Sequence, residues 1–461
     1  PKCQQYEWGK VGRDSLVAQL AKSAGGDSFS LQEDKPYAEL WMGTHPSGPA
    51  TIQASTDSAP VLLSAWLQEH PETVGVVPAG YKTDDLPFMF KVLSINTALS
   101  IQAHPDKALA KELHAEFPTV YKDPNHKPEM AIALTKFEGM NGFRPLAEVA
   151  NHLAQFPELG AILGAEASAK ILEVAVAVSG KSGLWRDSKF SSSGMAQVEK
   201  PTAEQSAMTE QALRLMLKAL LHASDALVGQ ELATLIARLQ TLQTLPMQDK
   251  RRILPFLTDM ILRLHTQYPG DRGVLFPLLL NTVELSPGEA FYMAANEPHA
   301  YISGDIMECM ALSDNVVRAG LTPKFKDKET LERMLSYKCA QVSYCKLSAL
   351  DAYARLYRPP PDAFSEFEVE QIALSANQQY DLIVHPCASI IIITSHNVST
   401  TGSDNGGKIS FRGESMALPA AGAVFFQAAK EAVRVQTGAA SGAVLFRAHI
   451  NLGGVGGELS A

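Results

Sequence analysis

Up to about Pro145, the apolar residues of the chain come in short runs between glycines and prolines. The runs at residues 88–93 and 131–134 have the length of strands and are too short to be typical helices. This first part of the chain is therefore predicted to form β-structure.

Residues 146–266 follow a different pattern. Apolar side chains recur at steps of three and four residues along 209–243 and again along 253–264. This period is typical of amphipathic helices, and since no fixed repeat length is present, a helical insertion is favoured over a solenoid. Within the block, residues 180–194 are rich in Gly and Ser and are predicted to form a mobile loop. The apolar stripe of the first helical segment consists of Leu213, Met216, Leu217, Leu220 and Leu221.

β-character returns near Tyr268, and residues 285–293 are predicted to form a strand, a tight Pro-Gly turn and a second strand. Short apolar runs at 390–394, 423–426 and 443–446 follow, separated by Gly-rich turns. Many short strands with such turns are typical of jelly-roll or cupin-like barrels.

The predicted fold class is mainly β with an α insertion. Two cupin-like units and a helical insertion account for the three zones of the pattern. The predicted domains are a cupin-like catalytic domain of residues 1–145 plus 267–340, a helical insertion at 146–266, and a second cupin-like domain at 341–461.

Composition narrows the class of function. A net charge of −9 argues against nucleic acid as a partner, because binding to a phosphate backbone needs a basic face. No run approaches the roughly 18 apolar residues of a membrane span, and residues 1–6 lack the apolar core of a secretory signal. None of the five cysteines forms a CxxC pair, so neither a thiolate metal site nor a redox dithiol is indicated. We expect a cytoplasmic protein without a membrane partner.

Polar side chains cluster at alternating positions in two of the predicted strands. If residues 100–104 form a strand, Ser100, Gln102 and His104 lie on one face of it. Lys127 and Glu129 share a face in the same way. The three polar side chains of residues 100–104, beside an apolar run, indicate a barrel interior lined for binding, and a solvent-facing polar edge is the alternative. For Lys127 and Glu129 the alternative is a surface ion pair.

A third and a fourth cluster follow the Pro-Gly turn. His299 and Tyr301 share strand parity. Glu308 lies in an otherwise apolar stretch, where a carboxylate is costly unless it is paired or used. Arg318 lies between apolar residues before a glycine and is a candidate anion clamp.

Together these clusters suggest a metal site. Two histidines and one glutamate supply nitrogen and carboxylate ligands, and the neutral oxygen of Gln102 could complete the protein shell. An exchangeable fourth or fifth position is typical of a catalytic zinc, although a mononuclear iron cupin would have a similar ligand set.

The same segments resemble the type I phosphomannose isomerases in their longer, eukaryotic-like form. The family's zinc site maps onto four residues of this chain, and six more are implied to line a sugar-phosphate pocket. The matching stretches are residues 6–10, 37–46, 100–107, 125–134, 142–145 and 304–324. The implied zinc ligands are Gln102, His104, Glu129 and His299. The implied pocket residues are Lys91, Lys127, Tyr301, Glu308, Asp314 and Arg318.

The resemblance implies an aldose–ketose isomerase that interconverts D-mannose 6-phosphate and D-fructose 6-phosphate through a cis-enediol. Such an enzyme feeds mannose into GDP-mannose synthesis and glycosylation. Glu308 is the first candidate for the proton carrier, with Lys127 or a zinc-bound water as the alternative. Tyr301 and Asp314 are expected to assist ring opening by moving a hydroxyl proton.

The substrate is expected to contact Lys91, and its phosphate to be held by Arg318 and a lysine, with Ser100 as a neutral donor. Two other classes of function stay open at this point: an iron cupin oxygenase and a non-enzymatic sugar-phosphate sensor or storage protein. Residues 418–427 resemble the turn before His299 but lack a following histidine. We therefore expect a metal-free C-terminal domain, one zinc per chain, and a monomer.

Overall fold

A computed structural model describes most of residues 1–453. The predicted mobile loop at 180–194 lies outside the described residues. Within residues 1–453, the structure does not describe residues 26–28, 54–58, 180–200, 245–254, 340–341, 361–362, 395–406, 412–413, 418–420, 429–430 and 439–441.

The part of the chain before the helical block is rich in short strands, as its apolar pattern predicts. Three α-helices lie between them in the described ranges. The strands are β1 (Lys2–Gln4), β2 (Lys10–Val11), β3 (Pro36–Tyr37), β4 (Glu39–Met42), β5 (Thr51–Ile52), β6 (Val61–Leu62), β7 (Phe88–Ile95), β8 (Ile101–Ala103), β9 (Glu129–Ala133) and β10 (Phe137–Phe143). The helices are α1 (Leu16–Gly25), α2 (Leu63–Glu69) and α3 (Lys107–Glu116).

The helical block follows β10, and its amphipathic stripes face inward. All five residues of the stripe named above are buried in α6, which begins at a capping box formed by Thr202 and Gln205. The helices of the block are α4 (Leu146–Gln155), α5 (Pro157–Ser179), α6 (Ala203–His222), α7 (Asp225–Gln243) and α8 (Pro255–Gln267).

Strands resume after the block. The predicted strand–turn–strand of 285–293 is present, although its two strands pair with different neighbours and form no hairpin. The elements up to the C-terminal region are β11 (Leu280–Leu285), β12 (Ala290–Met293), β13 (His299–Ala311), β14 (Val317–Gly320) and α9 (Lys328–Met334). The later strands are β15 (Leu347–Ala349), β16 (Ala354–Tyr357), β17 (Glu368–Leu374), β18 (Gln379–Asp381), β19 (Ser389–Thr394), β20 (Lys408–Phe411), β21 (Glu414–Ala417), β22 (Ala421–Phe426), β23 (Arg434–Gln436) and β24 (Ala443–His449).

The fold class predicted from the sequence, mainly β with an α insertion, is confirmed. In the first sheet the strand order is β1-β4-β7-β13-β10-β11, with β8 and β9 also on β13, β14 on β8, and β12 on β9. The second sheet has the order β15-β16-β17-β24-β19-β22, and a smaller one has the order β18-β23-β20-β21. The division into domains stays a prediction.

Strand β19 shows why the two main sheets pack together. All six of its residues are buried, and Ile391 and Ile393 contact the core shared with the smaller sheet. Ile390 and Ile392 point the other way, into a core that also contains residues of β7, β9 and β13. A strand covered on both faces reads as a continuous apolar run, which explains its sequence. In the described part of the chain, no helix has both the length and the apolar character of a membrane span.

Strand β13 runs through the whole first sheet system and carries a β-bulge. Its first half pairs with β10 and its second half with β7 and β9. Between the pairs Tyr301↔Gly139 and Ser303↔Glu138, β13 advances by two residues while β10 advances by one. The extra residue reverses which positions face inward, because strand side chains alternate. Gly304 follows the bulge with φ 116°, a conformation that favours glycine.

We predict that Gly304→Ala lowers the free energy of unfolding by about 1–3 kcal/mol, because the positive φ strains a residue with a Cβ. That Cβ would also lie 2.6 Å from the carbonyl oxygen of Lys136. Gly229→Ala in α7 is the matched control, since a Cβ there meets no atom within 4 Å and should stabilise by roughly 0.5–1 kcal/mol. Urea denaturation of both variants measures the difference, and equal midpoints would contradict the prediction.

Candidate metal centre

Strand alternation places charged side chains inside the first sheet system. In β7, β9 and β13, one set of positions packs outward into the core shared with the second sheet, for example Met130 and Met307. The opposite set carries Lys91, Glu129 and Glu308, each less than a tenth exposed. A single inward face therefore holds a buried cation and two buried carboxyl groups.

Register brings three more predicted residues into a row across adjacent strands. Gln102 of β8 lies opposite His299 of β13 on one side and opposite Arg318 of β14 on the other. Residues directly opposite each other in antiparallel strands share a face. The row therefore runs from His299 through Gln102 to Arg318. Ser100 is close to it, since its hydroxyl lies 3.4 Å from the Gln102 amide oxygen.

The two histidines and Glu129 form a compact ligand set. The Nε2 atoms of His104 and His299 lie 3.5 Å from the two oxygens of Glu129, one on each. Each Nδ1 lies within hydrogen-bonding distance of a backbone carbonyl, that of Asn315 at 2.7 Å and that of Glu297 at 2.9 Å. Such bonds fix the tautomer that leaves Nε2 free to bind a metal.

Both Nε2 atoms are buried and have no hydrogen-bond partner among the residues that the structure describes. Buried polar atoms without partners are rare and call for an explanation, and a metal ion between His104, Glu129 and His299 supplies one. All three residues offer ligand atoms within 4.8 Å of one another. Two imidazoles and a carboxylate suit zinc, and the Gln102 amide is a further oxygen on the same face.

Glu129 is held in its ionised form. Burial alone would raise its pKa, but Lys127 and His104 bring the pKa well below the ordinary value of 4.5. The Lys127 ammonium is 3.0 Å from Glu129 Oε1. The Tyr301 hydroxyl lies 3.4 Å from Oε2. The predicted shared face of Lys127 and Glu129 is thus present, and the carboxylate is ready to bind a cation.

The pKa of Glu308 is shifted in the opposite direction. Burial, assisted by the negative charge of Glu129, raises its pKa above 4.5, although Lys91 at 2.9 Å acts against the shift. Burial and the Glu308 charge raise the pKa of Tyr301 well above 10.0, so this hydroxyl keeps its proton. The Lys91 ammonium is also 3.5 Å from Glu39. Two carboxyl groups in one pocket therefore differ in proton affinity, a pattern typical of acid–base sites.

Asp314 and Arg318 occupy less buried positions. A hydrogen bond with His45, at 3.3 Å, lowers the pKa of Asp314. Within the described residues, no carboxylate lies within ion-pair distance of Arg318, a partly buried cation. A buried cation without a protein partner is suited to a ligand anion.

Sequence reasoning missed three residues around the site. Glu39 is the second partner of Lys91, His45 holds Asp314, and the carbonyl of Asn315 orients His104. Glu39 and His45 lie within the matched stretch 37–46. The alternation of side chains along a strand could have singled out Glu39. Nothing in the sequence marks a backbone carbonyl as a partner of a distant histidine.

A second group of metal-ligand types lies in the C-terminal sheet, and sequence reasoning also missed it. His385 Nε2 lies 2.8 Å and His449 Nε2 3.6 Å from Glu370 Oε1. The two rings are stacked with centroids 3.8 Å apart. Arg447 is 3.6 Å from the other oxygen of Glu370. Burial opposes protonation of His449, but the nearby Cys387 and Glu370 raise its pKa to about 10. The Nε2 atom of His449 is buried without a hydrogen-bond partner among the described residues, and Glu370, His385 and His449 offer ligand atoms within 4.8 Å of one another. The metal-free C-terminal domain therefore stays a prediction.

Comparison with known proteins gives consistent likenesses. The models for "Phosphomannose isomerase type I, catalytic domain" and "Phosphomannose isomerase type I, helical insertion domain" match residues 1–146 and 188–280. The mannose-6-phosphate isomerase of Cryptococcus neoformans is 42% identical, with 98% of each chain covered. That of Rattus norvegicus is 37% identical, with 96% of each covered.

Solved structures agree with these relatives. A mutant of phosphomannose isomerase from Salmonella typhimurium is 25% identical and superposes with a TM-score of 0.72 over 98% of each chain. A mannose 6-phosphate isomerase bound with zinc and yttrium is also 25% identical, with a TM-score of 0.71 over 98% of each chain.

We predict that metal content separates the two clusters. Dialysed wild-type protein should hold about one zinc per chain, and His104→Ala or His299→Ala should lose it, because an incomplete ligand shell binds weakly. His449→Ala is the matched control and should keep the zinc. Elemental analysis by mass spectrometry measures this. Zinc retained in full by His299→Ala, or a second equivalent lost in His449→Ala, would contradict the assignment.

Proposed function

The chain belongs to the type I phosphomannose isomerases, and from that premise we propose that it interconverts mannose 6-phosphate and fructose 6-phosphate at a zinc site. The observation that carries the proposal is the pair of buried Nε2 atoms of His104 and His299, which lie on either side of an ionised Glu129 and have no hydrogen-bond partner in the described part of the chain. The proposed fourth protein ligand is Gln102. One zinc per chain, a monomeric state and a cytoplasmic location stay predictions.

Zinc held by these residues would supply Lewis acidity that polarises a substrate oxygen. The residues around it have the remaining tasks of binding the phosphate, opening the sugar ring and moving a proton between C2 and C1. Family membership favours this chemistry over an iron oxygenase or a sugar-phosphate sensor.

Glu308 is the proposed proton carrier on one face of a cis-enediol. Its raised pKa lets it both accept and return a proton, whereas Glu129 remains ionised as a ligand. Lys91 contacts Glu308 directly, which supports a role in holding this carboxyl group as well as in binding substrate. Lys127 is the alternative carrier, but its ammonium is already paired with Glu129.

Ring opening removes the proton of the anomeric hydroxyl and gives one to the ring oxygen, as the bond between the anomeric carbon and that oxygen breaks. Tyr301 keeps its proton and lies beside Glu129, so it can donate a hydrogen bond to a sugar oxygen. Asp314 is ionised and less buried, so it can accept one. These two residues are the proposed pair for this step.

The substrate phosphate is proposed to bind Arg318. This guanidinium is partly buried, has no carboxylate partner among the described residues, and shares the row with Gln102 and His299. A planar guanidinium binds phosphate through two hydrogen bonds at once. Ser100, next to Gln102, is the proposed neutral donor.

We predict that Arg318→Lys lowers kcat/KM roughly 10- to 150-fold, because it keeps the charge but loses about 1.5–3 kcal/mol of bidentate hydrogen bonding. Steady-state kinetics in both directions measure the loss. The matched control is Arg263→Lys, which changes a partly exposed arginine paired with Glu138 and should stay within about twofold of wild type. An Arg318→Lys enzyme with near-wild-type kcat/KM would contradict the assignment of the phosphate to Arg318.

We predict that Glu308→Gln lowers kcat by about 10²–10⁴-fold while zinc and a phosphate-bearing inhibitor still bind, because only the proton carrier is lost. The wild-type acid limb of kcat/KM should lie above pH 4.5, since the carboxylate form of a group with a raised pKa is lost as pH falls through that value. Glu308→Gln should lack this limb.

The control for this variant is Glu158→Gln, another buried carboxyl group, which pairs with Arg238 in the helical block. It should lower the melting temperature without changing kcat. If Glu308→Gln behaves in the same way, Glu308 is a structural ion-pair partner and not the proton carrier.

A further inference from the structure

Glu366 is a fully buried carboxylate in the segment between β16 and β17. Its Oε1 accepts hydrogen bonds from His126 Nε2 and the Tyr81 hydroxyl, and Lys107 Nζ lies 3.3 Å away. Lys107 in turn donates to the Tyr81 hydroxyl at 2.6 Å. All three partners precede the helical block, so one carboxylate of the C-terminal region binds three side chains of the first sheet system.

Two of these partners flank the metal centre. His126 immediately precedes Lys127, whose ammonium is 3.0 Å from Glu129. Lys107 is the first residue of α3 and follows His104 by three positions. Glu366 therefore restrains the segment that ends at one metal ligand and the segment that begins at another.

The segment of His104 is also fixed on its other side. Asp106 caps α3 and accepts a hydrogen bond from the Asn296 amide at 2.9 Å. The Asn296 backbone N–H donates to the carbonyl of His104 at 2.8 Å. The segment of Lys127 is fixed by main-chain bonds on both sides: the carbonyl of Asn125 accepts hydrogen bonds from Ser313 and Asn315, and that of Pro128 accepts one from the Ala311 N–H at 3.2 Å. Between these points, the side chain of His126 joins the residue next to Lys127 to Glu366.

Charge makes the restraint firm. An isolated buried carboxylate is costly, so Glu366 retains its partners. Burial alone would raise its pKa, but the bonds from His126 and Tyr81 lower the pKa to about 2. The carboxylate thus accepts charge-assisted hydrogen bonds, which are shorter and stronger than neutral ones.

We propose that Glu366 is a positioning residue of the isomerase: by holding His126, it fixes the Lys127 ammonium against Glu129. This gives the C-terminal region a task in turnover without any metal of its own. The inference rests on the proposed function, because it assumes that Lys127 acts in the sugar-phosphate pocket. Small displacements of a reacting or binding group cost as much as 10²-fold in rate.

The test is a double-mutant cycle between Glu366→Gln and Lys127→Met, with kcat/KM, zinc content and melting temperature measured for each enzyme. Glu366→Gln alone should lose about tenfold in kcat/KM at unchanged zinc content. In the Lys127→Met background, where no ammonium remains to be positioned, the same change should cost less than about twofold. Equal factors in both backgrounds, a wild-type Glu366→Gln enzyme, or loss of zinc would each overturn the proposal.

Two further variants keep the result decisive. His126→Phe breaks the same bond from the other side while leaving Glu366 paired with Lys107, so it tests the proposal if Glu366→Gln does not fold. It should show the same dependence on Lys127. Tyr357→Phe removes a 2.8 Å hydrogen bond to the carbonyl of Gly288, also between the two sheet systems, and should lower stability without changing kcat/KM. Wild-type activity on mannose 6-phosphate tests the proposed function separately, whatever these variants show.

Discussion

Strand β13 pairs with two different sets of strands, and the site depends on the bulge between its two halves. Its first half pairs with β10 and β8, and its second half with β7 and β9. The bulge after Tyr301 adds one residue to β13, so the positions that face inward in the second half have the opposite parity to those in the first half. His299, Tyr301 and Glu308 therefore point into one space, although in a regular strand Glu308 would lie on the face opposite to His299 and Tyr301. Partner strands then add the remaining groups to the same space.

The charges in this space are stable only as a set. Glu129 and Glu308 are almost fully buried, and each has an ammonium group within 3.0 Å, from Lys127 and Lys91 respectively. Removing one member leaves another buried and unpaired, which is more costly than the pair is stabilising. Glu39 extends the set through Lys91. The ion pairs that stabilise these buried charges also make the pKa values of the two carboxyl groups differ. Charge compensation and acid–base chemistry therefore have one physical origin.

Local alternation made much of this predictable. Ser100 and Gln102 share a face, Lys127 contacts Glu129, and the stripe of α6 is buried, because each depends on periodicity alone. That Tyr301 and Glu308 point into the same space could not be predicted, because this needs a β-bulge that shifts the alternation of side chains by one residue. The contacts of Glu366 and the cluster around Glu370 were missed for another reason. They join residues far apart in sequence, and only the packing of one sheet on another brings them together.

The helical block lies between two strands that pair with each other, β10 and β11, where Phe143 is opposite Leu280. Loop-closure entropy grows only slowly with length, and the block's helices form mostly local contacts, so it can fold early. The four strands β7 to β10, however, need β13, which is synthesised after the block. At about 5–20 residues per second this delay lasts roughly 10–30 s. During that interval the nascent chain exposes unpaired sheet edges, at which it can pair with other chains until β13 emerges.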